Sequence, residues 1–168
     1  MNPSSPRPEA RALVCETREQ ALAAALDLLG AARREARIYT RDLDPGLLDA
    51  EACVEALRRL AISGRGASVR ILVHDLRPAQ QDGHRLLPLA QRLPSVFQLR
   101  SPLEPGDRDY ASAFLLNDAG GYLCRTLASR WEGEGSTYAP GRQAQFAAYF
   151  DQVWERSAPC TELRLLGL

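Results

Sequence analysis

Two histidines, His74 and His84, are the only side chains in this sequence whose ordinary pKa lies near neutrality. All 21 basic residues are arginine, so Schiff-base chemistry, a phosphate-loop lysine and any lysine nucleophile are excluded together. His74 lies in one copy of an internal echo. Ile38-Tyr39-Thr40-Arg41-Asp42-Leu43-Asp44-Pro45 and Ile71-Leu72-Val73-His74-Asp75-Leu76-Arg77-Pro78 share the pattern I-x-x-(R/H)-D-L-x-P. The copies stand one strand-helix unit apart, so both end a parallel strand at the same edge of a sheet. Ligands of open α/β sheets bind beyond the carboxyl ends of the strands. A small polar site of Arg41, Asp42, His74 and Asp75 is therefore one reading. The plainer one, which the residues alone favour, is that each aspartate bonds backbone donors in a turn while the proline stops the strand.

His84 stands in Asp82-Gly83-His84-Arg85 at the expected start of a helix, where backbone donors favour an anion and Arg85 adds a fork of donors. A histidine that packs or bonds near a helix terminus explains the same residues and is preferred, because no nucleophile is placed beside it. Trp131-Glu132-Gly133-Glu134-Gly135-Ser136 could expose backbone donors, but its glutamates repel phosphate and a plain loop is expected. No G-x-S-x-G elbow, H-E-x-x-H pair or phosphate-binding loop occurs. Cys15, Cys53, Cys124 and Cys160 show no C-x-x-C spacing, so they read as free thiols of a reducing compartment rather than a zinc site. No cofactor and no metal is expected.

The elements that must position these residues follow from hydrophobic periodicity. A strand is expected over 12–15 and a helix over 18–34, with Leu22, Leu26 and Leu29 at helical spacing. A strand over 36–40 precedes a helix that Asp49 caps and Gly64 stops. The apolar run 69–73 is a strand buried on both faces. A helical pattern over 83–93 contains Pro88, which predicts a kink or a late start. Next come a strand over 95–100 and a mobile loop with Pro102, Pro105 and Gly106. A hairpin over 111–116 and 122–126 turns at Asn117-Asp118-Ala119-Gly120-Gly121. Residues 128–139 read as a loop. Pro140 opens a helix with the stripe Phe146, Tyr149, Phe150, Val153 and Trp154, and 163–168 reads as a closing edge strand.

These alternating elements predict an α/β single domain over 11–168 with a mixed, mainly parallel sheet flanked by helices on both faces, behind a disordered lead over 1–10. The length of 168 residues and 18.5 kDa agrees with one domain. With 21 acidic and 21 basic residues the formal charge is zero, which argues against a general nucleic-acid binder. No apolar run reaches the about 18 residues of a membrane span, and the Pro- and Ser-rich start lacks a secretory signal. A cytoplasmic protein is expected.

The order of elements, the hairpin with Asp118 and the ending Phe150-Asp151-Gln152-Val153-Trp154-Glu155 resemble the phospholipase D-like fold. The stretches Arg41-Asp42-Leu43-Asp44-Pro45, Gly83-His84-Arg85-Leu86-Leu87 and Phe114-Leu115-Leu116-Asn117-Asp118 resemble an uncharacterised bacterial family of that superfamily. Members of that group are often associated with GNAT acetyltransferases. Active members carry H-x-K-x-x-x-x-D on this hairpin, with histidine attacking phosphorus and lysine holding the phosphate. Anchored on Asp118, the pattern places Ala111 at the histidine and Ala113 at the lysine. Gly135-Ser136 is similar to the start of the family's G-S-x-N, but Tyr138 stands at the asparagine position.

The resemblance thus implies a degenerate, non-catalytic domain, a pseudoenzyme acting as a binding or regulatory module. An anion would be held by Arg41, Arg85 or Arg125 in a ligand site drawn from Arg41, Asp42, His74, Asp75, His84, Arg85, Asp118 and Arg125. It also implies a homodimer, since single-motif members pair through their active-site faces, and an acetyltransferase partner. The alternative is an acid/base hydrolase using His74 or His84 with Asp42 and Asp75.

Overall fold

The computed structural model describes residues 9–161 and Leu163. Thr17 begins the first helix with a capping box: its hydroxyl accepts from the Gln20 N–H, and the Gln20 side chain accepts from the Thr17 N–H. This helix, α1 (Arg18–Ala31), follows strand β1 (Ala12–Cys15) and leads to β2 (Glu35–Thr40). Then come α2 (Glu51–Ala61), β3 (Ser68–Val73), α3 (Arg77–Gln81), α4 (Leu86–Arg92), β4 (Phe97–Pro102) and α5 (Pro105–Arg108). The chain ends with β5 (Ala113–Asn117), β6 (Tyr122–Arg125), β7 (Gly133–Ser136), α6 (Pro140–Glu155) and β8 (Ser157–Pro159).

The strands form one sheet in the order β1-β7-β6-β5-β2-β3-β4-β8. The expected mixed sheet with helices on both faces is present, but its balance differs. Among the described residues only β2–β3 and β3–β4 pair in parallel, whereas β1–β7, β7–β6, β6–β5, β5–β2 and β4–β8 are antiparallel. The strand-helix alternation governs only the middle of the chain, and the hairpin and its return strand enlarge the antiparallel half.

Because side chains alternate across a strand, each central strand feeds two cores. Ile38 and Ile71 face α1, α2 and α4, where Leu28, Leu57 and Leu86 are fully buried. Tyr39 and Leu72 face α6 with Phe114, Leu116, Phe150, Val153 and Trp154. Burying each of these large side chains contributes about 1.5–3 kcal/mol before chain entropy is counted. Arginines from three adjacent strands seat α6. Arg37 and Arg70 reach Asp151 at 3.2 and 3.3 Å, and Arg100 stacks 4.5 Å from the Trp154 ring centre.

Several local expectations change. Asp49 does not cap α2; its Oδ1 accepts from the Gly46 N–H at 2.7 Å and closes the preceding turn, leaving Ala50 as the N-cap. That helix ends at Ala61, before Gly64. The helix around Pro88 does start late, at Leu86, where proline in the first turn costs no hydrogen bond. The segment expected as a mobile loop with Pro102, Pro105 and Gly106 ends β4 at Pro102 and runs into the α5 turn, which Asp107 ties to Arg156. Among the described residues Ser157–Pro159 is the closing edge strand; of the strand expected over 163–168, Leu163 is helical and the remainder lies outside the described residues, as do residues 1–8 of the lead. Residues 128–139 conceal β7, wedged between β1 and β6. Among the described residues no helix is long and apolar enough to cross a membrane.

Candidate functional site

The β5–β6 hairpin is anchored at its turn. Asp118 Oδ1 accepts from the Arg33 N–H at 2.7 Å, and Oδ2 from the N–H groups of Arg34 and Glu35 at 2.9 and 3.2 Å. Asp118 therefore sits at the start of β2 as a structural acceptor. Since β5 runs antiparallel to β2, with Asn117 beside Ala36 and Phe114 beside Tyr39, its opposite end brings Ala113 to the carboxyl end of β2.

Ala113 is buried and pairs in register with Arg125 of β6. Arg125 is itself only 4% exposed, and its donors are spent within the fold. Nη1 donates to the carbonyls of Ala128 and Arg130 at 2.9 and 2.8 Å, and Nη2 forms an ion pair with the buried Asp44 carboxylate. The guanidinium also lies 5.4 Å from the Trp131 ring centre. The Thr40 hydroxyl faces the same carboxylate. Burial pushes the Asp44 carboxyl above its usual range, and Arg125 partly offsets that rise. The space left between Asp44, Ala113 and Arg125 is a cavity of about 10 Å³, room for roughly one water. Arg125 is thus a neutralised core cation.

The echo motif does meet at one edge. β2 and β3 are parallel with Thr40 beside Val73, and the ladder continues as His74 N–H donates to the Thr40 carbonyl and Asp75 N–H to the Arg41 carbonyl. Asp75 takes the turn role: its carboxylate accepts from the Arg77 N–H at 3.1 Å and from the Arg77 guanidinium at 2.9 and 3.0 Å. Those bonds hold Asp75 below the usual carboxylate range. Arg41 is exposed and Asp42 half-buried beside it.

His74 is half-buried, and its Nε2 lies 2.9 Å from the Tyr39 hydroxyl, which donates at 3.0 Å to the Asp107 carbonyl. A phenol has one proton. With that proton on the Asp107 carbonyl, the Tyr39 oxygen must accept from His74, which fixes the Nε2–H tautomer. Burial, then the charges of Arg108 and Arg41, hold the imidazole below its ordinary pKa, against a smaller opposing effect of Asp107. The neutral ring therefore carries its lone pair on Nδ1.

The Asp107 side chain in turn receives two bonds from Arg156, at 2.6 and 2.7 Å. His84 is separate in role: it is buried, its Nε2–H donates to the Leu43 carbonyl at 3.0 Å, and its Nδ1 accepts from the Leu86 N–H at 3.1 Å. Both nitrogens hold backbone. Arg85 is exposed over a shallow groove with Glu51 and Glu55. Sequence reasoning missed Tyr39, Asp44, Asp107 and Arg108. Only Tyr39 and Asp44 lay within a motif it had singled out.

The family model of a domain of unknown function, DUF7931, matches residues 17–166. The chain belongs to the DUF7931 family. No curated protein sequence matches it. Solved structures supply the fold. The DUF7931 chain superposes on Nuc of Salmonella typhimurium, a phospholipase D family member, with a TM-score of 0.61 and 14% identity, covering 90% of this chain and 98% of Nuc. NucT of Helicobacter pylori gives 0.60 and 13%, with the same coverage. TrmBL2, an archaeal chromatin protein, gives 0.65 and 16%; 95% of this chain is covered, but it spans only 57% of that protein. The DUF7931 domain has a phospholipase D-like fold.

Proposed function

We propose that this domain is a phospholipase D-like module that binds an anion without cleaving it, with the strand-end edge of Arg41, His74 and Arg108 as the contact surface. One observation carries the reading. Where the resemblance puts the nucleophile and its lysine stand Ala111 and the buried Ala113, and the neighbouring Arg125 is neutralised by Asp44 with room for about one water. Phosphoryl transfer through histidine needs an accessible imidazole and a cation on the phosphate, and this pocket offers neither. Arg41 and Arg108 are exposed and have no side-chain ion pair among the described residues. TrmBL2, which superposes on this chain, shows a novel mode of DNA binding, so a protein of similar fold is used for binding.

The acid/base alternative has less support, because His84 spends both nitrogens on backbone and Asp75 is held by Arg77. The test has two arms. A chromogenic phosphodiester is expected to show no turnover above buffer. In a thermal-shift panel of phosphate esters, nucleotides, acyl-CoA and short nucleic acids, at least one anion class should raise the melting temperature; saturation at a hundredfold over Kd contributes about 2.7 kcal/mol. Arg41→Ala and Arg108→Ala should remove that shift. Turnover lost in His74→Gln would overturn the reading in favour of catalysis.

A further inference from the structure

The state of His74 narrows the ligand. Arg41, whose carbonyl accepts from the Asp75 N–H beside His74, and Arg108, next to Asp107 whose carbonyl holds the Tyr39 hydroxyl, are the two cations whose charges bear on the imidazole. The Tyr39 relay fixes Nε2 as the protonated nitrogen, so Nδ1 is an acceptor, and it has no hydrogen-bond partner among the described residues. An oxyanion drawn in by two guanidiniums meets a lone pair there, not a donor. A fully deprotonated anion is repelled at that point unless the ring first takes up a proton. An oxyanion that keeps one acidic proton completes the site directly, its O–H donating to Nδ1 while its other oxygens accept from the arginines.

We infer, on the basis of the binding reading above, that Arg41, His74 and Arg108 form a site for a phosphate-like oxyanion that supplies its own proton. Inorganic phosphate belongs to this class; diesters, sulfate and, above their second pKa of about 6, phosphate monoesters do not.

The other charged groups around the ring keep their own partners or stay constant over the range that matters. Asp107 of α5 is bound to Arg156 and Asp75 to Arg77. Tyr39, with Tyr149 of α6 packed on it, is pushed well above its ordinary pKa by burial and does not ionise near neutrality. Asp42 and Asp109 adjoin the two arginines along the chain.

The experiment is calorimetric titration of the intact protein with inorganic phosphate and with sulfate between pH 6 and 7. Sulfate has no proton to give in this range, so its affinity should fall by up to about tenfold per pH unit, with uptake of up to one proton. Inorganic phosphate keeps at least one proton through the whole range and should bind with little pH dependence and little proton uptake. His74→Gln, whose amide can donate or accept, should bring the two anions to similar, flat affinities with melting temperature unchanged. Equal pH slopes for both anions on the wild-type protein sink the proton-supply inference and leave the binding reading standing. The inference fails in the same way if neither anion binds while nucleotides or acyl-CoA still shift the melting temperature. If no anion of any class binds, both fail.

Discussion

At the scale of single residues, the buried ion pair beside Ala113 is the contact most exposed to mutation. Arg125 and Asp44 are both buried, so removing one leaves the other charged in a medium that solvates it poorly. Breaking such a pair costs about 3–5 kcal/mol, whereas replacing both partners by apolar groups is often neutral. Arg125→Met is expected to lower unfolding free energy in urea by that order, and Arg125→Met with Asp44→Leu to recover part of it. A double variant that loses the sum of the two single losses would contradict the pairing. The sequence exposed only half of this contact. Arg125 was noticed as a free cation for a ligand, while Asp44 hid behind Asp42 in the same motif. What separates the two aspartates is the turn: Leu43 and Asp44 adopt left-handed backbone, with φ of 67° and 45°. That conformation turns Asp44 toward the core, and nothing in its local pattern announces it.

At the scale of elements, α5 shows how a segment that reads as mobile becomes fixed. Its helical turn has only four residues, and a turn of that length does not persist alone. Asp107 holds it, bonding Arg156 at the end of α6 by both carboxylate oxygens, and its backbone carbonyl receives the Tyr39 hydroxyl. The Arg156 bonds hold the Asp107 carboxyl below its usual range. A carboxylate depressed in the folded state contributes stability that is fully present above its unfolded pKa of about 3.9 and is lost as pH falls through the folded value. The melting temperature should therefore drop below about pH 4 more steeply in the wild-type protein than in Asp107→Asn, which starts lower and changes less. Parallel curves for the two proteins would show that the contact carries no such linkage. Because Asp107 also supports the Tyr39–His74 relay through its carbonyl, the asparagine variant keeps that bond and isolates the charge.

At the scale of the whole molecule, the sheet is completed by a strand with almost no strand character of its own. β7 joins β1 to β6, yet its sequence is Gly133-Glu134-Gly135-Ser136. Glycine weakens strands in general, and here its lack of a side chain is what the packing requires. A Cβ on Gly135 would lie 2.0 Å from the Tyr122 carbonyl oxygen, and one on Gly133 would lie 2.8 Å from that of Cys124. Gly135→Ala is expected to disrupt the β1-β7-β6 edge, seen as a collapse of the melting transition or loss of soluble protein. Gly141→Ala is the matched control, since a Cβ there meets nothing within 4 Å in α6 and alanine favours helix by up to about 1 kcal/mol. Similar melting temperatures for the two variants would argue against the close approach.

What the sequence settled by itself is what depends on near neighbours. The apolar runs of β2 and β3, the late start at Leu86 and the aromatic stripe of α6 follow from side-chain periodicity and from proline's missing N–H. The same is true of the hairpin around Asn117 and Gly121. The tertiary structure alone decided which residues remote in the chain share a space. It placed Arg125 over Asp44, bound Asp107 to Arg156, routed the Tyr39 hydroxyl to His74, and found β7 a position that only glycine can occupy. These contacts depend on burial, which changes both what a charge costs and which donors remain free, and burial is set by the folded chain as a whole.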